Sequence, residues 1–321
     1  MKLKRSESSA SETSVHSMTS ALRRCFVQFP QARHLLEHLE GLLLQDTTVE
    51  EADNLLLLGE PGVGKSRLLK KFCSRHPIIK HEDFVEVPVL YASVPSKSSI
   101  DNLASSMLLA LGSPFWNRGK TKELTHQLVT LLKTCKVKMV VLDEVNHLVD
   151  KGGIKTHHLI ADWLKELSDS VRIPFVFAGI PRANRLLEAN DQLRSRFREV
   201  VSVNPFNIET NPAEAEFREV LKSFENIVPS SLQLNISNAT MTRRICFATG
   251  GRLRDIRRLM VRVIELACKA EAASASLTTF STAFRQVIYV NAPDRRNPFT
   301  SKFDKLPLTR PGEPFAHRVE E

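Results

Sequence analysis
The chain has 321 residues, 42% of them apolar, 25% charged and 7% aromatic. That composition excludes wholesale disorder, and 12 Gly and 16 Pro exclude collagen-like or low-complexity architectures. Lys and Arg number 45 against 36 Asp and Glu, a net charge of +9 that favours a polyanionic partner without naming one.

Aliphatic runs are short, as in Leu55 to Leu58. A bilayer-spanning helix needs about 20 apolar residues, so no membrane span is expected. The basic, Ser/Thr-rich N-terminus has no apolar core of the kind a secretion signal carries. The cysteines Cys25, Cys73, Cys135, Cys246 and Cys268 are odd in number, widely spaced and without a CxxC pair. That pattern predicts buried, reduced thiols in a cytoplasmic protein rather than a disulfide framework or a zinc site. The pair His157-His158 has no ligand partner at metal spacing.

In chain order, residues 1–20 read as a flexible tail. From Ala21 to Leu44 a helical pattern appears, broken in two by Pro30, with Leu35, Leu36, Leu39, Leu42 and Leu43 at three- and four-residue spacing. Strand and helix signals then alternate. Strands are predicted at Asn54–Leu58, Val85–Ala92, Lys138–Leu142, Pro174–Ala178 and Arg198–Val203. Helices are predicted at Arg67–Arg75, Asn102–Leu111, Lys122–Lys133, Thr156–Leu167 and Ala183–Ala189. Short apolar runs separated by amphipathic helices specify an α/β class with a parallel sheet covered on both faces. Beyond Asn204-Pro205-Phe206 the strand signal vanishes. Helical patterns follow at Pro212–Phe224, Asn238–Ala248, Arg252–Ala272 and Thr279–Tyr289, a small all-helical unit. From Asn291 the chain is Pro-rich and polar, read as an extended tail. The expected domains are therefore 1–20, 21–205, 206–290 and 291–321.

The sharpest chemical signal is Gly59-Glu60-Pro61-Gly62-Val63-Gly64-Lys65-Ser66 followed by Arg67, a full match to GxxxxGK[ST]. Glycines let consecutive backbone N–H groups wrap phosphates, Lys65 can reach the β and γ phosphates, and the Ser66 hydroxyl can ligate Mg²⁺. The segment follows a strand signal and opens a helix, as phosphate binding requires. Lys138 to Glu144 reads as a buried strand carrying Asp143 at its carboxyl end. Asp143 can hold Mg²⁺ through water, and Glu144 can orient and polarise the attacking water. The second carboxylate marks a hydrolase, because a metal ligand alone would not need it. Ile180 stands where many ATPases of this kind place a polar residue near the γ-phosphate. Either that contact is absent, the preferred reading, or Asn184 substitutes. Arg194, Arg196 and Arg198 precede the last strand. One of them can stabilise transition-state charge at a neighbouring subunit's γ-phosphate, with Arg196 the first choice and Arg194 the second. Arg254, in the first turn of the strongest helix, points off its buried stripe and can touch bound nucleotide.

Together these residues resemble AAA+ ATPases: the P-loop at Gly59, the Asp143-Glu144 pair, the Arg194–Arg198 box, and Gly251-Arg252-Leu253-Arg254 in a helical lid. More narrowly, Val140–Leu148, Pro174–Pro181, Gln192–Phe197 and Gly251–Met260 resemble the TniB/TnsC family of transposition regulators. Asn297-Pro298-Phe299 also resembles members from RNA-guided, CRISPR-associated transposons. The resemblance covers about Ala21 to Val290. It implies an AAA+ P-loop domain with a helical lid, ATP and Mg²⁺ as cofactors, and ring or helical-filament homo-oligomers on duplex DNA. It further implies partnership with a transposase and a target-selector protein, and no membrane. The family's DNA-facing loops fall here near Lys97 and near Arg118, Lys120 and Thr121, with Asp101 where a second basic contact would be expected. The alternatives are a helicase-loader-like AAA+ ATPase, a small-molecule P-loop kinase and a non-hydrolysing scaffold. The intact Lys65, Ser66, Asp143 and Glu144 argue against the scaffold.

Overall fold
The computed structural model describes residues 15–45, 51–97, 99–150, 153–228 and 232–316. It divides into two compact units: Pro30–Pro61 with Lys65–Asn204, and the described residues within Met1–Phe29, Gly62–Gly64 and Pro205–Glu321.

The first unit is a five-stranded sheet with helices. Its strands are β1 (Leu55–Gly59), β4 (Val89–Ser93), β5 (Met139–Asp143), β6 (Phe175–Gly179) and β7 (Glu199–Val203), in the order β4-β5-β6-β1-β7. Every pairing is parallel. Strands buried on both faces read as continuous apolar runs, which is why Leu55–Leu57 and Met139–Leu142 carry no alternation. Buried Asn54 precedes β1, and its Oδ1 accepts the Phe175 N–H at 2.7 Å, joining the start of β1 to that of β6. Helices α2 (Pro30–Leu43), α3 (Lys65–Cys73), α4 (Ile100–Ala110), α5 (Thr121–Thr134) and α6 (Ile154–Val171) accompany the strands, with the short α7 (Arg185–Glu188) and α8 (Asp191–Arg196) before β7. Pro30 supplies the first residue of α2, where its missing N–H costs nothing.

Two expectations change here. The single strand expected over Val85–Ala92 is interrupted: β3 (Val85–Glu86) pairs antiparallel with β2 (Ile79–Lys80), and β4 begins only at Val89. Pro88, lacking an N–H, separates the two pairings. The helix expected over Ala183–Ala189 is a 3₁₀ turn (Pro181–Asn184) followed by the four-residue α7.

The second unit is helical. The described part of the N-terminal segment forms α1 (15–24), followed later by α9 (Asn211–Glu225), α10 (Ala239–Thr249), α11 (Leu253–Lys269) and α12 (Leu277–Val287). In α11 the expected stripe of Leu253, Ile256, Leu259, Met260, Val263, Ile264 and Ala267 is buried. The flexible tail read over 1–20 is corrected for residues 15–20, which are helical; residues 1–14 lie outside the described residues. Leu22 is fully buried, and Arg257 donates to carbonyls at the end of α1, to Leu22 O at 2.9 Å and Cys25 O at 3.1 Å.

The extended tail read from Asn291 is also corrected. Buried Asn297 donates to Ser281 Oγ at 2.9 Å, Phe299 packs on Phe280 and Phe284, and Leu308 and Phe315 are buried. Prolines there set turns in a packed segment rather than an isolated polyproline stretch. The Phe315 ring lies against the turn Gly250-Gly251 and under the Arg252 guanidinium, 4.9 Å from its centroid. Gly251 has φ +65°, and a Cβ there would run into the Phe206 carbonyl, so only glycine fits.

Candidate active site
The P-loop runs from the end of β1 into α3. Gly62 and Gly64 take φ +91° and +113°, the left-handed conformations that let the backbone curl around a phosphate. The Lys65 ammonium turns back onto the loop, donating to Gly59 O at 2.6 Å and Glu60 O at 3.2 Å. Burial lowers its pKa from the ordinary lysine value, and the nearby charges of Asp143, Glu144 and Glu60 pull it partly back up. A cation held by neutral carbonyls near carboxylates is set to exchange those partners for phosphate oxygens. Lys65→Ala is therefore expected to lose tight ATP binding: a charge-assisted partner is worth about 1.5–3 kcal/mol. Isothermal titration with ATP checks this, and wild-type affinity in the variant would remove Lys65 from the site.

Asp143 ends β5 and is 3% exposed. Its Oδ1 accepts the Glu144 N–H at 2.9 Å, and its Oδ2 accepts the Tyr91 hydroxyl at 2.6 Å. Glu144 adopts φ 62° and ψ 34°, left-handed for a non-glycine residue, which ends the strand at once and leaves its carboxylate half-exposed. The Nε2 of His147 lies 3.8 Å from that carboxylate, while its Nδ1 donates to Val94 O at 3.0 Å. Ser66 and Asp143 supply hydroxyl and carboxylate oxygens, a hard donor set that suits Mg²⁺. Sequence reasoning missed Tyr91 and His147. Neither belongs to a phosphate-binding motif, and only strand register brings Tyr91 beside Asp143.

At Ile180 the structure places no polar side chain from β6. The Ile180 N–H donates to Oδ1 of buried Asn146 at 3.4 Å. Asn184, the alternative polar residue, spends its amide on Glu188 Oε1 at 2.6 Å on the surface.

The three arginines before β7 have different partners. Arg196 binds Asp169 at 2.9 Å and Glu51 at 3.3 Å, and Arg198 binds Asp53 at 3.3 Å. Arg194 is exposed and makes no ion pair among the described residues. In the helical unit the Arg254 N–H donates to Gly62 O at 3.0 Å, and its guanidinium lies against Gly62. The guanidinium is held by the carboxylate of buried Asp255 at 3.2 and 3.1 Å.

Lys97, Arg118 and Lys120 are exposed. The Thr121 hydroxyl donates to Asp101 at 2.5 Å, tying the first residue of α5 to the first turn of α4. Asn102 of that same turn donates to Lys97 O at 2.7 Å, so both basic loops meet at one end of the α4–α5 layer. The Arg118 guanidinium lies 5.1 Å from the Phe115 ring centroid. Asp101 is thus the internal partner of Thr121, whose hydroxyl is committed within the chain.

A parallel sheet in this order, with a P-loop after β1 and an Asp-Glu pair at the end of β5, defines an ATPase of the AAA+ class. The chain belongs to the TniB family: the family model described as "Bacterial TniB protein" matches residues 18–206. Among solved structures, Cdc6p from Pyrobaculum aerophilum is similar over 85% of this chain and 72% of that one, with a TM-score of 0.63 and 17% identity. The Aeropyrum pernix ORC1 protein, solved in complex with DNA, is similar over 84% and 69%, with a TM-score of 0.58 and 16% identity. A curated relative, DNA repair protein RAD51 homolog 2 of Arabidopsis thaliana, is 23% identical over 245 residues, 68% of this chain. The match spans 62% of that relative's length. Among the described residues, no helix is long and apolar enough to cross a membrane.

Proposed function
We propose that this protein is an ATP-dependent, DNA-binding regulator of transposition that assembles on duplex target DNA and links a target selector to the transposase. The observation that carries the DNA part is the meeting of the exposed Lys97, Arg118 and Lys120 loops at one end of the α4–α5 layer. Family membership and the resemblance to transposition regulators support the rest. In this reading the loop Gly59–Ser66 with Arg67 binds the ATP phosphates, and Lys65 offsets their charge. Ser66 and Asp143 would hold Mg²⁺, which adds positive charge beside the phosphates. Glu144 orients and polarises the attacking water. Arg254, beside Gly62, exchanges Asp255 for nucleotide phosphate. Arg194, exposed and without an ion-pair partner among the described residues, replaces Arg196 as the residue proposed to reach a neighbouring subunit.

Phosphate contacts release counterions, so binding is expected to tolerate any sequence and to weaken steeply with salt. The test uses Glu144→Gln, which keeps shape while losing the charge that polarises water. With ATP it should form longer-lived assemblies on duplex DNA than the wild type, seen by electron microscopy. Adding Arg118→Ala and Lys120→Ala should lower affinity about equally for unrelated duplexes and flatten the salt dependence. Unchanged DNA affinity, with ATP binding intact, would rule these loops out as the DNA contact.

A further inference from the structure
Asp143 uses its two oxygens differently. Oδ1 is tied to the neighbouring backbone N–H, whereas Oδ2 takes its donor from another strand, the hydroxyl of Tyr91. Strand register explains why Tyr91 can reach it. β4 pairs with β5 so that Tyr91 lies opposite Val141 and Ser93 opposite Asp143. Side chains two apart on a strand share a face, so Tyr91 and Asp143 stand on the same side of the sheet. The Lys70 ammonium, on the same helix α3 that Lys65 opens, lies 5.5 Å from the Tyr91 ring centroid. Tyr91 therefore stands between the P-loop helix and the carboxylate at the end of β5. With Asp143 only 3% exposed, water has little access to replace the hydroxyl if it is lost.

We propose that Tyr91 is a positioning residue that sets the Mg²⁺ requirement of the ATP site by fixing the Asp143 carboxylate in one orientation. The inference rests on the ATPase reading above and concerns that same site. Two donors, one on each oxygen, hold the carboxylate plane and leave its remaining lone pairs directed one way. Without the hydroxyl, the carboxylate turns, and its buried oxygen lacks a partner. Groups that orient metal-binding carboxylates in this manner typically contribute about 10- to 100-fold to metal affinity. The role requires no contact between Tyr91 and nucleotide.

The test is Tyr91→Phe in the full chain, which removes one oxygen and keeps the ring. Binding of a fluorescent ATP analogue is followed without Mg²⁺ and then as Mg²⁺ is added. Metal-free affinity should stay within about twofold of wild type, while the Mg²⁺ midpoint rises about tenfold. Turnover at saturating Mg²⁺ should approach that of wild type. In an Asp143→Asn background, Tyr91→Phe should shift the midpoint no further, since the oriented group is already altered. An unchanged midpoint in folded Tyr91→Phe overturns the proposal. Loss of metal-free binding overturns it as well, because Tyr91 would then act on the nucleotide cradle. Failure of the wild type to bind the analogue sinks the ATPase reading itself, and this inference with it. If Tyr91→Phe does not fold, Tyr289→Phe supplies a second readout, because the chain has only two tyrosines. Tyr91 is then the sole tyrosine, and its ultraviolet band should shift when Mg²⁺ is added to the ATP-bound protein. A silent band overturns the proposal.

Discussion

Replacing Arg194 with alanine is expected to lower ATP turnover about 10³-fold or more, the usual cost of removing an arginine that stabilises transition-state charge. ATP binding per subunit should survive, because the variant's own P-loop is intact. The reason for preferring Arg194 is geometric. Arg196, the first choice by its place before Phe197, is committed to Asp169 and Glu51, and Arg198 to Asp53. An arginine must leave such partners before it can serve a neighbour; Arg194 has none to leave among the described residues. Arg196→Ala should instead cost about 0–1 kcal/mol of stability, the range for exposed ion pairs, with little direct effect on the chemical step. Mixing subunits decides between them. A Lys65→Ala subunit offers a working arginine and a dead pocket, and an Arg194→Ala subunit offers the reverse. Mixed assemblies should regain turnover that neither variant has alone. Recovery with Arg196→Ala subunits and none with Arg194→Ala, at verified mixing, would return the role to Arg196.

Arg296→Met is expected to destabilise the helical unit by about 3–5 kcal/mol, because it leaves two largely buried carboxylates without their cation. The Arg296 guanidinium binds Asp304 at 2.8 and 3.0 Å and Glu313 at 2.5 and 2.6 Å, and it also donates to Pro307 O at 2.6 Å. One side chain thus closes the C-terminal segment into a loop. The melting temperature of that unit should fall by roughly 10 °C. Neutralising the partners at the same time, with Asp304→Asn and Glu313→Gln, should return part of the loss, since the penalty lies in the uncompensated charges. The same pair predicts an acid response. Burial would push the Glu313 carboxyl up, but hydrogen bonds from Arg296 and the Arg310 N–H hold it below its ordinary value. Burial would likewise push Asp304 up, and the Leu306 N–H and Arg296 hold it down. A carboxyl whose folded pKa is depressed stabilises fully above its unfolded pKa. That contribution is lost as pH falls through the folded pKa. Protection of the amides across 291–316, taken as the exchange rate relative to the intrinsic rate at the same pH, should therefore be high at neutral pH and fall below about pH 4. Equal protection at both pH values would show that the pairs do not hold the segment.

Much of the first unit is legible in the order of its residues. Apolar runs such as Leu55–Leu58 and Met139–Leu142 can only be satisfied inside a sheet covered on both faces, and the glycines of the P-loop are demanded by phosphate geometry. The α11 stripe is equally plain, because burial along a helix repeats every 3.6 residues wherever the helix sits. These signals are local: each needs only a window of neighbouring residues. The helical state of residues 15–20 and the packed C-terminal segment are not legible in that way, because their stability comes from distant partners. Arg257 meets the end of α1 across 235 residues of chain, and Ser281 meets Asn297 across 16. A Pro-rich, polar composition says nothing about a buried Arg296 that satisfies two carboxylates at once.

The sequence by itself determined the phosphate-binding loop, the paired acids Asp143 and Glu144 and the parallel α/β order, since those follow from residue type and spacing. Tertiary structure alone decided which of three neighbouring arginines has no ion-pair partner among the described residues, that Thr121 is spent on Asp101, and that Tyr91 touches Asp143. Each of those depends on which side chains from separate elements come within hydrogen-bond reach, about 3 Å, and no one-dimensional spacing encodes that distance.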